Sequence, residues 1–141
     1  MLQNLEREYS MNPDDPGVLK RYTDFLWSCL SQNLMQGQVE VLNRELFSTL
    51  IQKKIDFGGS IDDYSRAIEN DLKRKNYTLA SENLRQMKNL YPSNEEYYLL
   101  RLQYLASLGR GEDIKNLLEE IYSSHIFLSS KAKEVLAFWE T

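Results

Sequence analysis

The residues in this chain that could do chemistry are few and scattered. His125 is the lone histidine, and a catalytic or metal-bound imidazole needs partner groups at a spacing that folding can deliver. No His/Cys/Asp spacing supplies them, and His125 beside Ser123 and Ser124 reads as a loop or helix-end residue. Cys29 is the single cysteine. It lies on an apolar stripe and reads as a small core side chain, with a reactive thiol as the alternative, and alone it can form no internal disulfide. Gly58-Gly59 and Gly109-Arg110-Gly111 lack the spacing and the preceding strand of a phosphate-cradling loop. The carboxylate pairs Asp62-Asp63 and Glu119-Glu120 fall at helix ends or on exposed faces, and the helix dipole explains acids in a first turn. Lys73-Arg74-Lys75 closes a helix, where cations complement the same dipole; an anionic partner segment is the other reading. These residues predict no catalytic group, no cofactor and no metal, and hence a protein that is not an enzyme.

Composition narrows the class further. With 141 residues, 42% hydrophobic and 27% charged, the chain has the make-up of one folded domain able to bury a core without staples. A net charge of −4 argues against general nucleic-acid binding, which needs a basic face to displace counterions. No apolar run approaches the roughly 20 residues of a membrane span. The first residues lack the basic start and apolar centre of a signal peptide, so a cytoplasmic location is the expectation.

Hydrophobic spacing of three and four residues predicts eight helices and no strand. Leu2, Leu5 and Tyr9 form the first stripe. Asp15 caps a second helix with Pro16 at its first position, carrying Leu19, Tyr22, Phe25/Leu26 and Cys29/Leu30 to about Ser31. After a Gln36-Gly37 turn, a third helix shows Val39, Leu42, Leu46, Phe47, Leu50 and Ile51. Gly58-Gly59 breaks the chain, and Ser60 with Asp63 starts a fourth helix as a weak capping box. Lys75-Asn76-Tyr77 turns into a fifth, which Pro92 stops. Ser93 with Glu96 predicts a full capping box for a sixth. Gly109 turns into a seventh, and an eighth from Ser129 or Ser130 carries Ala132, Val135, Leu136 and Trp139.

Within this pattern the chain repeats itself. Tyr64, Ile68, Ala80, Leu84 and Met87 recur 34 residues later as Tyr98, Leu102, Ile114, Leu118 and Ile121. A period of 34 is the length of a helix–turn–helix unit that stacks on its own copies. Residues 61–94, with Tyr64, Ile68, Lys75-Asn76-Tyr77, Ala80, Leu84, Leu90 and Pro92, resemble a tetratricopeptide repeat. Residues 95–128 form a second copy, in which Ile114 replaces Ala80 and Ile126 replaces the terminal proline. Residues 13–57 resemble a divergent first hairpin, residues 1–12 an orphan helix and residues 129–141 a C-terminal capping helix. Pro13 and Pro92 are separated by two periods plus 11 residues, so the first hairpin must hold an insertion in the 31–37 loop and a longer third helix.

The resemblance implies an all-α fold, a short right-handed α-solenoid of stacked hairpins forming a single domain over residues 1–141. In that family the first helix of each unit lines a concave groove. By this resemblance the groove displays Lys20, Asp24 and Trp27 from the first hairpin, Ser65, Arg66, Glu69 and Lys73 from the second, and Leu99, Gln103 and Ala106 from the third. Glu69 and Gln103 stand where family members that clamp acidic chaperone tails present asparagine, so a mixed polar surface with one aromatic anchor is expected. Tyr22, Trp27, Tyr97 and Tyr104 are the aromatics least committed to repeat packing. Phe138-Trp139 is expected to cover the open end of the last repeat, or to serve as a homodimerisation patch. The expected role is a protein–protein interaction module: an adaptor, scaffold or dedicated chaperone or assembly factor. Its partner would be a peptide or helix of another protein, without nucleic acid and without a membrane span. The alternative is a helical regulatory or docking domain of a larger protein, an enzyme included.

Overall fold

The computed structural model describes residues 2–140; Met1 and Thr141, the outermost residues of the 1–12 and 129–141 segments, lie outside them. Among the described residues there are eight α-helices and no strand: α1 (Leu2–Met11), α2 (Pro16–Ser31), α3 (Gly37–Asp56), α4 (Ile61–Lys73), α5 (Tyr77–Leu90), α6 (Glu95–Ser107), α7 (Gly111–Ser123) and α8 (Ser130–Glu140). None of these helices is long and apolar enough to cross a membrane. α2 and α3 have 16 and 20 residues, against 13 and 14 in α4 and α5.

Local hydrogen bonds account for most helix boundaries. Asp15 accepts from the amides of Gly17 and Val18 at 2.8 and 3.3 Å, with Pro16 behind them in the first turn. Gly58 ends α3 at φ 109°, a conformation open to glycine and strained for other residues. Gly59 lets the next segment pass close to α3, since a Cβ there would lie 3.0 Å from Ile55 Cγ1. Ser60 and Asp63 then close a reciprocal capping box: the Asp63 amide donates to Ser60 Oγ at 3.3 Å and the Ser60 amide to Asp63 Oδ2 at 3.0 Å. At α6 the expected cap is displaced by one residue. Asn94, not Ser93, is the N-cap, and its Oδ1 accepts from the Glu96 amide at 2.8 Å. Asparagine caps as well as serine, and the turn after α5 brings Asn94 to the capping position.

The helices gather into two compact units, one up to Asn70 and one from Asp71 onward. In the first, α2 packs against both α1 and α3, and the core holds Leu26, Leu30, Phe47, Leu50, Ile51 and Ile68. Val39 and Leu42, expected on the buried stripe of α3, are more than half exposed at 56% and 55%. At 3.6 residues per turn they point about 80° and 140° to one side of Phe47, while Arg44, Ser48 and Ile55, about 60° to 100° to its other side, fall inside the buried arc. In the second unit α6 packs against α5, α7 and α8, and α8 also meets α7. Ala132 and Leu136 of α8, each 1% exposed, face inward. Phe138, expected to cover the last repeat, is instead 69% exposed, because two residues past Leu136 is close to the opposite side of a helix.

Several buried polar groups are matched within each unit. Arg44, 7% exposed, donates through Nε to Glu40 Oε2 at 2.8 Å and through Nη1 to Asn70 Oδ1 at 3.2 Å, while Asn70 Nδ2 donates to the Arg44 carbonyl at 2.9 Å. Asp63 does more than complement a dipole: Lys54 Nζ pairs with its Oδ1 at 2.7 Å. Thus α4 is tied to α3 at both ends of its stretch in the first unit. In the second unit, Asp71 is 1% exposed and accepts from Asn83 Nδ2 at 2.9 Å. Burial pushes the Asp71 carboxyl up to about 6, against the opposing pull of Asn83 and the Arg74 charge.

Two outcomes follow from these matches. Replacing Asn70 by alanine leaves the Arg44 guanidinium short of an acceptor, and urea denaturation should show a loss of about 1–3 kcal/mol; an unchanged midpoint would mean the pair adds nothing. Asp71 acts in the opposite sense. Its folded pKa lies above the unfolded value, so between about pH 4 and pH 6 the folded chain holds a proton that the unfolded chain has released. Stability from this group is therefore lost as pH rises through that window, by on the order of 3 kcal/mol. Denaturation series from pH 4 to neutrality should show Asp71→Asn gaining on the native chain as pH increases, and a difference that stays flat with pH would refute the assignment.

Candidate functional site

Lys20, Asp24 and Trp27 stand on one face of α2 because they are spaced by four and three residues. Arg66, Glu69 and Lys73 follow the same rule on α4, whose start is set by the Ser60–Asp63 box. Packing in the first unit brings four of them together. Asp24 is the hub: Lys20 Nζ reaches its Oδ2 at 2.8 Å and Arg66 Nη1 its Oδ1 at 2.8 Å. Burial alone would raise the Asp24 carboxyl, but the hydrogen bonds from Lys20 and Arg66 outweigh it and hold the group below the usual aspartate range. The Arg66 guanidinium carbon lies 5.9 Å from the centre of the Trp27 ring, within cation–π range. Trp27 in turn leans on the fully buried Phe47, with ring centroids 5.4 Å apart. The indole is thus braced from one side and overlaid by a cation, while Lys20 remains largely exposed. Beside Arg66, the Ser65 hydroxyl oxygen is buried with no hydrogen-bond partner among the described residues.

The other expected groove residues lie elsewhere. Glu69 is half-buried one turn after Arg66. Lys73, exposed at the last turn of α4, belongs to the second unit, as do the half-buried Leu99 and the exposed Gln103 on α6. Of the two residues with reactive side chains, Cys29 is half-buried rather than a core residue. His125 is exposed at φ 55° in the turn after α7. No group of three or more His, Cys, Asp or Glu among the described residues is arranged to hold a metal ion.

The second unit holds a concavity that the sequence reading did not assemble, a cleft of about 470 Å³ formed by α5, α6 and α7. Because α6 packs against both α5 and α7, its Tyr97, Arg101 and Tyr104 lie between the two walls. Arg85 and Lys88 come from α5, and Arg110, Asp113 and Glu120 from the turn before α7 and from α7 itself. Tyr97 packs edge-on against Tyr98 at 5.0 Å and is almost wholly buried, so this ring belongs mainly to the unit's core and shows the cleft little of its surface. Its hydroxyl accepts from Arg101 Nη1 at 3.2 Å. The i,i+3 spacing of Arg85 and Lys88 was the legible signal for two cations on one helix face. Nothing local links them to Arg101 or Arg110, which only tertiary packing brings alongside.

Comparison of the chain with protein-family models, with curated proteins and with solved structures finds no significant match.

Proposed function

We propose that this chain is a protein–protein interaction module of the tetratricopeptide-like kind, in which the first helices of stacked hairpins hold a peptide or helix of a partner protein. The observation that carries this reading is the braced Trp27, overlaid by Arg66 and flanked by the Asp24–Lys20 pair. Interfaces draw most of their energy from a few aromatic and arginine side chains set in a fixed geometry. Here both residue types occur together, and their rotamers are held by neighbours, which lowers the entropy lost on binding. Asp24 already uses both carboxylate oxygens internally, so the surface offers an arene and a cation rather than a free acid. That favours a partner segment placing an apolar or aromatic side chain on Trp27 and an acceptor near Lys20. The 34-residue recurrence, with Ala80 fully buried, supports a stacked-hairpin origin for the surface. The adaptor, scaffold and assembly-chaperone roles all use this one physical act.

The test is affinity capture at moderate salt with the native chain, Lys20→Glu and Arg66→Glu, each checked for native helicity. A protein partner identified with the native chain should be held at least tenfold more weakly by either variant, about 1.4 kcal/mol. If both variants retain it while Phe138→Ala loses it, binding sits on the C-terminal helix and the reading fails. Recovery of RNA alone, with steep salt sensitivity, would also end it.

A further inference from the structure

We infer that the cleft between α5 and α7 is a second binding surface, separate from the Trp27 site, and that it takes an acidic, leucine-bearing segment of a partner protein. Charge is the first argument. The second unit carries ten cations and ten carboxylates, whereas the first carries seven and eleven. Within that neutral unit the cleft lining gathers four cations, Arg85, Lys88, Arg101 and Arg110, against two carboxylates, Asp113 and Glu120. A positive excess is therefore concentrated in a concavity of a chain that is acidic as a whole, and a concave wall focuses the field it makes.

The pairing of those charges is the second argument. Arg110 is taken by Asp113 at 2.6 Å and Arg85 by Glu82 on its own helix at 2.6 Å. Arg101 reaches Glu120 only at 3.8 Å, beyond hydrogen-bond length. Lys88 forms no ion pair among the described residues and lies 6.0 Å over the Tyr97 ring. Two cations thus face the cleft with unspent capacity for a carboxylate. They stand on adjacent helices, so they suit acids spaced along one segment.

The remaining lining selects a peptide. Leu84, Leu105 and Leu117 are buried core residues whose exposed edges form the apolar floor of the cleft, and Asn116 supplies an amide that can both donate to and accept from a peptide backbone. A nucleic-acid backbone fits poorly, because Asp113 and Glu120 would repel phosphates and two spare cations neutralise too few of them. The volume of about 470 Å³ lies within the range of small binding sites and suits a short stretch of chain.

The experiment is a titration of the isotopically labelled full chain, followed by amide chemical shifts, with a synthetic peptide alternating glutamate and leucine. The lysine-for-glutamate peptide and an oligouridylate are titrated in parallel. Saturable shifts should cluster at Arg85, Lys88, Arg101 and Asn116 with the acidic peptide and be absent with the basic one. Lys88→Glu, an exposed position, should weaken the acidic peptide at least tenfold; Lys88→Gln, milder for the fold, should weaken it severalfold; Arg66→Glu in the first unit should leave it unchanged. The inference is overturned if the acidic peptide gives no saturable shifts, if Lys88→Glu leaves its affinity unaltered, or if the oligouridylate binds more tightly. Loss on Arg66→Glu with retention on Lys88→Glu would place the peptide on the Trp27 surface, overturning this inference while leaving the proposed function standing.

Discussion

A guanidinium withdrawn from water sets the arrangement of the first unit. Arg44 is nearly buried, and a buried charge is costly unless every neighbour is placed to receive it. Glu40 neutralises it along α3, and Asn70 meets it from α4 with a donor and an acceptor at once. Sliding α4 by one residue would turn Asn70 away and leave the charge uncompensated, so this contact specifies register more sharply than an apolar face could. The Lys54–Asp63 pair does the same at the start of α4. Arg66 lies between these two anchors. Its reach to Asp24 and its place over Trp27 are consequences of where α3 holds the helix.

The second unit handles polarity differently. Asp71 is buried with an amide rather than a cation as its hydrogen-bond partner, and its raised pKa is the electrostatic consequence. Four of this unit's ten cations line the cleft, where solvent tempers their charge. In the first unit, then, charges satisfy one another and fix a braced aromatic. In the second, they are partly unspent around a cavity. If both surfaces bind as proposed, they recognise different chemistry, an apolar side chain in one case and carboxylates in the other.

Much of the helical framework was legible before any coordinates. Asp15-Pro16, Gly58-Gly59 and Ser60 with Asp63 act through hydrogen bonds and steric limits spanning three or four residues, so their meaning is local. The failures are also physical. Ser93 lost the cap to Asn94 because both residues can cap and the path of the turn chooses between them. Val39 and Leu42 looked like core because apolarity alone was read, while the buried arc of α3 is rotated toward Arg44 by partners 26 residues away, at Asn70. Phe138 lies on the side of α8 opposite Leu136, and no local signal says which side faces α6 and α7.

By itself the amino-acid order determined the number of helices, nearly all their ends and the face shared by Lys20, Asp24 and Trp27. These depend on spacing along one helix and on caps a few residues away. Tertiary structure decided that Arg66 would complete the Trp27 site and that Arg101 and Arg110 would meet Arg85 and Lys88 around a cleft. Such meetings depend on the distance between helices, and that distance is set by the summed packing of cores and buried charges rather than by any segment of the chain.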